Sequence, residues 1–517
     1  MPTVTWREAE PPLVLALDAG TSSVRALLFD RRGRALANAE TQLGYELVTT
    51  PDGGAEMDAD RLVELLAECV DATLANAASH ADEIAAVAMS CFWHSLLGLD
   101  ASGKPVTPVL YWADTRSAKQ VAALRAELDR REVHARTGCV IHSSYWPAKL
   151  RWLCETRPEQ FRSVARWTSF ADYMITRFLG VDCMSVCMAS GTGMLEQRTA
   201  EWDAQMAAAV GIDPTTLPPL VDRDQPAQGL RPEFAARWPA LANVPWYPPL
   251  GDGACANLGC GAVSPDRIAL TLGTTGAMRI IVPAPIGQPL TIPSDLWAYR
   301  LDRQCAILGA AISNGGLLLA WMSDLLGAPL EGDDMAKAAE LPPDSHGLTI
   351  LPFIAGERSP IWNDRATGII AGMTLHTRRE HVLRAAMEAV AYRFARLYDA
   401  IRAVAAPDHE IAANGAAILR SPLWLQITAD TLAHPLLTLP PEEEASARGA
   451  AVAALDSLGV AALGETDDPA AGVPVVPPDQ TKAAAYRAGR ERQMLLERLL
   501  FPDGGSWDES LEGEVMS

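Results

Sequence analysis

The sequence predicts an α/β protein built twice over, with mixed sheets flanked by helices, and three observations predict it. The first is a strand–turn–strand near the N-terminus. Leu13-Val14-Leu15-Ala16-Leu17 runs into Asp18-Ala19-Gly20-Thr21-Ser22-Ser23-Val24-Arg25, and Ala26-Leu27-Leu28-Phe29 leads out. The second is the same order about half a chain later. There Arg267-Ile-Ala-Leu-Thr-Leu272 precedes Gly273-Thr274-Thr275-Gly276, and Ala277-Met278-Arg279-Ile280-Ile281-Val282 follows. The third is length: 517 residues exceed one ordinary core, so two domains of about 250 residues are expected.

The turn between the first two strands has the chemistry of a phosphate cradle. Gly20 lets the backbone approach a bulky anion, and Thr21, Ser22 and Ser23 offer hydroxyl and N–H donors. Asp18 would repel phosphate unless a divalent cation stood between them, so the turn points to Mg²⁺ as well as a nucleotide. A polar surface hairpin is the plainer alternative, and the second copy weighs against it. Two opposed phosphate-holding hairpins differ from a Gly-rich loop opening a helix, and no G-x-x-x-x-G-K-[ST] occurs. Gly251-Asp252-Gly253-Ala254-Cys255-Ala256 matches G-x-G-x-x-A, but Pro245, Pro248 and Pro249 precede it where that fingerprint needs a strand. It is set aside.

Composition narrows the partners. The net charge of −21 opposes binding to nucleic acid or anionic membranes, while leaving small anionic substrates open. The N-terminus lacks the apolar core of a signal peptide. The apolar stretch 305–322 is broken by Ser313-Asn314-Gly315-Gly316 and reads as strand, turn and helix start. Nine cysteines without a C-x-x-C pair fit reduced thiols and a cytoplasmic location. Neither G-x-S-x-G nor H-E-x-x-H occurs.

The elements follow in order. Residues 57–79 carry Leu62, Leu65, Leu66, Cys69 and Val70 at helical spacing. A strand over 84–89 enters Ser90-Cys91-Phe92-Trp93-His94-Ser95, and Leu96-Leu97-Gly98-Leu99 is another strand. Trp112-Ala113-Asp114-Thr115-Arg116 lies where a strand gives way to a helix. Residues 214–249 are proline-rich loops and short strands, and 378–404 form a long amphipathic helix. After the proline-rich stretch 469–478 comes a helix of Arg and Glu. The acidic tail 501–517 is expected to be disordered. The domain boundary is expected within 254–264.

Several motifs together resemble the FGGY family of carbohydrate kinases. They are Asp18-Ala-Gly-Thr-Ser-Ser, Trp112-Ala-Asp-Thr-Arg116, Gly251-Asp252-Gly253, Gly273-Thr-Thr-Gly276, Leu351-Pro-Phe-Ile-Ala-Gly-Glu-Arg-Ser-Pro360 and Ser421-Pro-Leu-Trp-Leu-Gln-Ile-Thr-Ala-Asp430. The resemblance implies duplicated actin-like, hexokinase-like (ribonuclease H-like) domains with the active site in the interdomain cleft. It also implies transfer of the γ-phosphoryl group of ATP to a sugar or polyol hydroxyl. The expected division is 1–256 for sugar binding, the first phosphate loop and the catalytic Asp, 257–490 for nucleotide binding, and 491–517 for a helix end and tail. Within the family, Met89-Ser-Cys-Phe-Trp-His94-Ser-Leu-Leu-Gly-Leu-Asp100, Arg136-Thr-Gly-Cys-Val-Ile-His142 and Asn257-Leu-Gly-Cys-Gly261 resemble the gluconate-kinase branch. That branch has prolines and a methionine where this chain has Ser143-Ser144-Tyr145-Trp146, a segment expected to line the sugar site. The family's Gly-Gly pair near the adenosine reads Ala416-Ala417 here.

Asp252 is the expected catalytic base, since Gly251 and Gly253 would leave room for a substrate hydroxyl beside it. A helix N-cap is the structural alternative. Trp93 and His94 are candidate sugar contacts, through an indole face and an imidazole, while Phe92 is expected in the core. Asp114 and Arg116 either pair with each other or hold sugar hydroxyls. His142 and Lys149 would meet a carboxylate if the substrate is an aldonate, although a solvent-facing lysine is the commoner case. For the nucleotide, Thr21, Ser22, Ser23, Arg25, Gly273, Thr274 and Thr275 are expected at the phosphates, and Gly315, Gly415 and Ala416 near the ribose and base. Asp18 is expected to hold Mg²⁺. Glu357 and Arg358 suggest only a buried loop ion pair, and Glu442-Glu443-Glu444 a solvated loop.

The sequence thus points to an ATP- and Mg²⁺-dependent kinase for gluconate or a similar aldonate. A xylulokinase-like ketose or polyol kinase is the first alternative, and a nucleotide-binding regulator or ATPase on the same fold the rival from another class. The expected partner is a small sugar or sugar acid, without nucleic acid or membrane, and a homodimer is the candidate assembly.

Overall fold

Both hairpins form. After a two-residue strand β1 (Thr3–Val4), β2 (Leu13–Ala19) and β3 (Ser23–Phe29) pair antiparallel, with Asp18 opposite Arg25. Every residue of β2 is buried, and a strand covered on both faces needs this unbroken apolar run rather than an alternating one. β4 (Ala35–Gly44) pairs antiparallel with β3, while β5 (Ile84–Cys91) and β6 (Leu250–Gly251) extend the other side of β2 in parallel. The computed structural model that shows this describes residues 3–327, 329–440 and 444–502. Most of the expected acidic tail therefore lies outside the described residues.

The second sheet repeats the arrangement. β7 (Arg267–Leu272), β8 (Gly276–Pro283), β9 (Trp297–Arg300) and β10 (Cys305–Ile312) are joined by β11 (Glu410–Asn414), β12 (Leu436–Thr438) and β13 (Val475–Val476). The strand orders are β1-β4-β3-β2-β5-β6 and β9-β10-β8-β7-β11-β12-β13. In each, three antiparallel strands (β4-β3-β2 and β10-β8-β7) continue into two parallel ones (β5-β6 and β11-β12). The duplication is therefore topological, not confined to the turns.

Helix α1 (Ala59–Ala77) starts where the Asp58 side chain accepts from the Arg61 N–H, and it buries the five residues whose spacing marked it. Helix α2 (Trp146–Thr156) precedes α3 (Asp252–Gly259), which leads straight from β6. In the second half, α4 (Gly316–Leu325) follows β10 after a turn, as the broken apolar stretch required, and α5 (Arg379–Ile401) is the long amphipathic helix. The proline-rich stretch also holds a short helix, Pro232–Arg237. No described helix is long and apolar enough to cross a membrane.

One helix ties the halves together. α6 (Ala445–Ser457) follows the second sheet in sequence but buries Ala447, Ala450, Ala451 and Leu455 in the same core as Leu13, Leu15 and Leu17 of the first. It crosses α3 at backbone contact: a Cβ on Gly259 would stand 1.9 Å from the Ala445 carbonyl oxygen, and one on Gly449 1.7 Å from that of Cys255. Residues 254–259 belong to this contact, so the link between the lobes begins only after Gly259. The last helix, α7 (Ala483–Leu500), lies against the second half through Tyr486 and Gln493. Gly259→Ala is expected to lower stability by about 3 kcal/mol, because the crossing cannot absorb a methyl group. Thermal unfolding checks this, and an unchanged melting temperature would show that the helices do not touch there.

Candidate active site

The site is built around one indole. β5 ends at Cys91, and the chain turns through Phe92, buried in the core as expected, to Trp93 and His94, the last with φ of +69°. Trp93 donates its N–H to the Cys187 carbonyl at 3.1 Å. Its ring fills space left by three glycines: a Cβ would stand 1.8 Å from it at Gly251, 2.6 Å at Gly191 and 2.7 Å at Gly253. The glycines flanking Asp252 thus seat Trp93, and Gly253 also lines the cavity beside the carboxylate. A strand does precede them, since β6 pairs with Ser90 and Cys91 in spite of the prolines. The G-x-G-x-x-A spacing answers to the indole rather than to a dinucleotide.

Asp252 opens α3, with Gly251 as the N-cap, so the carboxylate is not itself the cap. Its Oδ1 accepts the Gly253 N–H at 2.8 Å. Burial raises its pKa, while Arg279, that N–H and Arg358 pull the other way. It faces a cavity of about 120 Å³ to which both halves contribute. Aromatic rings form the walls: Trp93, Trp112, Tyr145, Trp297, Tyr299 and Trp362. Polar contributions come from His94, Ser144, Asp252, Arg279 and Arg358. Such a lining suits a molecule with C–H faces and several hydroxyls.

His94 turns Nδ1 to the Gly191 carbonyl, which fixes Nδ1 as the protonated nitrogen and leaves Nε2 as an acceptor. Burial pushes its pKa down to about 3, so the ring is neutral. Lys149, on α2, is buried behind it and donates to the His94 carbonyl at 3.0 Å. It is neither solvent-facing nor in the cavity wall. Asp114 and Arg116 form an ion pair to which Glu56 adds at 2.8 Å, with the guanidinium 4.6 Å above Trp152, away from the cavity. His142 donates from Nε2 to Asp364 at 2.8 Å and accepts the Ser144 N–H at Nδ1, so it braces the Ser144–Tyr145 wall without lining it.

Each phosphate hairpin carries a charged residue that acts on Asp252 electrostatically, Asp18 on β2 and Arg279 on β8. In the first turn Thr21 and Ser22 are exposed, while Ser23 is buried and its hydroxyl accepts from Gln42 at 3.0 Å. Arg25 is held by Glu444, an ion pair across the two halves, and burial pushes that carboxyl up to about 7. Glu444 is thus no solvated loop residue; Glu442 and Glu443 lie outside the described residues. Burial, with the charge of Asp252 adding to it, raises Asp18 to about 6 against Ser90 and Arg25. A cation beside Asp18 would relieve this cost, so the residues fit a divalent ion.

In the second turn Thr274 and Thr275 are exposed, and the Gly273 and Thr274 carbonyls accept from Gly316 at 2.8 Å and Gly315 at 3.1 Å. Gly415, at φ of +100°, leaves no space for a Cβ, which would stand 2.5 Å from the Leu272 carbonyl oxygen. Gly273, Gly315 and Gly415 therefore form one cluster, with Ala416 exposed at its edge. Ala417 approaches Gly316, where a Cβ would stand 3.0 Å from its own.

Several cavity residues were not singled out from the sequence: Trp297, Tyr299 and Trp362 as walls, and Arg358, whereas Ser144 and Tyr145 come from the segment expected to line the sugar site. Glu357 accepts the Arg358 backbone N–H at 3.0 Å but forms no ion pair with its guanidinium. It accepts the Ser313 N–H at 2.8 Å, stands 3.8 Å from Arg393, and burial pushes it up to about 7. Arg358 is left to face the cavity.

Comparison with known proteins agrees with this geometry. The N-terminal domain of the FGGY family of carbohydrate kinases matches residues 13–259, and its C-terminal domain matches residues 268–458. The chain belongs to the FGGY family of carbohydrate kinases. It is a phosphotransferase with an alcohol acceptor, of a family that uses ATP. A gluconokinase from Bacillus subtilis (strain 168) is 29% identical over 467 residues, 88% of each chain. The solved gluconate kinase from Lactobacillus acidophilus aligns with a TM-score of 0.86 at 25% identity, covering 94% of this FGGY chain and 98% of that one. A ligand-bound xylulose kinase from the same organism gives 0.86 at 26% identity with the same coverage. The expected pair of actin-like domains is thus the fold of this kinase.

The buried lysine gives a test. Burial lowers Lys149 from 10.5 to about 7, helped by Arg116 and opposed by Asp114. Between these values the unfolded chain holds a proton that the folded one has released, so this group makes stability rise with pH across that window. Lys149→Met is expected to stabilise more at pH 6 than at pH 9, by on the order of 2 kcal/mol. Equal effects at both pH values in thermal melts would show that the native amine is not neutral.

Proposed function

We propose that this kinase phosphorylates an open-chain sugar acid, with gluconate first among candidates, and works with Mg²⁺ in the cytoplasm. The observation that carries the proposal is Asp252, a half-buried carboxylate in an aromatic cavity between the halves, with Asp18 of the first hairpin and Arg279 of the second close enough to influence it electrostatically. The similarity to gluconokinase and the two guanidiniums facing the cavity support an acid. No disulfide joins the nine cysteines, which suits a reducing compartment.

In this reading the substrate hydroxyl lies against Asp252, which accepts its proton as oxygen attacks the γ-phosphorus. The new O–P bond forms while the bond to the β-phosphate oxygen breaks, and ADP leaves. The Thr21–Ser22 and Thr274–Thr275 turns present N–H and hydroxyl donors to the phosphates. Asp18 would hold Mg²⁺, which when bound neutralises phosphate charge. The aromatic walls exclude water that would otherwise accept the phosphoryl group. Neutral His94 accepts from a substrate hydroxyl at Nε2. The equal likeness to a xylulose kinase keeps a ketose or polyol as the second reading.

A coupled ADP-release assay across aldonates, ketoses and polyols is expected to show sugar-dependent turnover, fastest with an aldonate. Asp252→Asn is expected to reduce it about 10³-fold while ATP affinity stays within about twofold. ADP release that ignores sugar, or an active Asp252→Asn variant, would contradict the proposal.

A further inference from the structure

Three charged side chains face the cavity: Asp252, Arg279 and Arg358. Arg358 is engaged, donating from Nη2 to the Ile312 carbonyl at 3.2 Å, with its guanidinium 5.3 Å from the centre of the Trp112 ring. Arg279 is not. It enters from β8, three residues after Gly276, and forms no ion pair or hydrogen bond with any described residue. Asp252 is near enough to influence it electrostatically, yet the two make no ion pair. A guanidinium keeps its charge and carries five N–H donors; that of Arg279 is half-buried and opens onto the cavity.

The surroundings aim those donors at the cavity. Gly253 lacks the side chain that would press on Arg279: a Cβ there would stand 3.2 Å from Nε. The residue that seats Trp93 thus also admits the guanidinium beside α3. With His94 neutral, two arginines and one carboxylate leave the cavity one positive charge in excess. A neutral sugar would leave that charge unmatched, whereas a sugar acid brings a carboxylate whose two oxygens fit a guanidinium fork.

We infer that Arg279 binds the substrate's carboxylate and selects sugar acids over neutral sugars. This rests on the sugar-kinase reading above and adds the residue that makes the choice. Asp252 takes the reacting hydroxyl, and Arg279 fixes the acid group of the same molecule.

The test compares gluconate with sorbitol, which has the same six-carbon chain without the carboxylate, in wild type, Arg279→Leu and Arg279→Lys. Circular dichroism melts establish that each variant folds. For Arg279→Leu the gluconate-to-sorbitol ratio of kcat/KM is expected to fall about 100-fold, as two charge-assisted hydrogen bonds are lost. Arg279→Lys should recover part of the ratio, since an ammonium supplies charge without the fork. Calorimetric titration with gluconate without ATP gives the same comparison independently of turnover, with a Kd raised by about the same factor. An unchanged ratio with both substrates slowed equally, or an unchanged gluconate Kd, would overturn the assignment and place Arg279 at the transferring phosphoryl group. Wild-type enzyme that turns over ketoses but no aldonate would instead refute the sugar-acid reading itself.

Discussion

The seating of Trp93 constrains everything around the reacting centre. Its ring occupies the volume that Gly191, Gly251 and Gly253 leave open, and its N–H is spent on the Cys187 carbonyl. On its far side it meets Trp297 and Tyr299 of the second half edge-on, at 6.1 and 4.9 Å between ring centres. One side chain therefore couples the end of β5, the start of α3 and the edge strand of the other sheet. Asp252 projects from that junction, and the far end of the same helix is clamped to α6 by Gly259 and Gly449. The carboxylate is held from both ends by contacts too close to slide.

Within this frame, electrostatics divides the labour. A base must be ionised to accept a proton, yet burial favours its neutral form. The guanidiniums of Arg279 and Arg358 counter that tendency at Asp252 without touching it. His94 takes no part in the charge balance because burial keeps it neutral. Lys149 supports the His94 backbone from behind, and Tyr145 and Tyr299 share a hydrogen bond at 2.6 Å that closes the wall between the halves. The cavity is an aromatic box whose few charged side chains, Asp252, Arg279 and Arg358, are unequal in sign.

The hairpins, the duplicated sheets and the position of Asp252 were legible because each leaves a local mark. Strands covered on both faces need unbroken apolar runs, tight turns need Gly and Thr, and a Gly-Asp-Gly triplet is conspicuous. What escaped depends on contacts between distant segments. Nothing local says that Gly251 and Gly253 face an indole far away in sequence, so that part of their purpose was not legible. The walls made by Trp297, Tyr299 and Trp362 exist only once the halves are apposed. Arg279 was visible as an arginine early in a strand, but whether it faces core, solvent or cavity is set by strand alternation and by the missing side chain of Gly253. Lys149 and Glu444 resemble surface residues in composition, yet elements from elsewhere bury the first and partly cover the second: Lys149 behind the His94 loop, Glu444 against Arg25 of β3. The excursion of α6 back onto the first sheet was hidden for the same reason, its alanines being compatible with any helix packing.

The most direct test of the central claim, that both hairpins and the aromatic cavity converge on Asp252, is a crystal structure with a non-hydrolysable ATP analogue, Mg²⁺ and gluconate. The account predicts a substrate hydroxyl within hydrogen-bond distance of the Asp252 carboxylate, in line with the terminal phosphate, and that phosphate gripped between the Thr21–Ser22 and Thr274–Thr275 turns. A sugar bound outside the Trp93 cavity, or a terminal phosphate remote from Asp252, would contradict it.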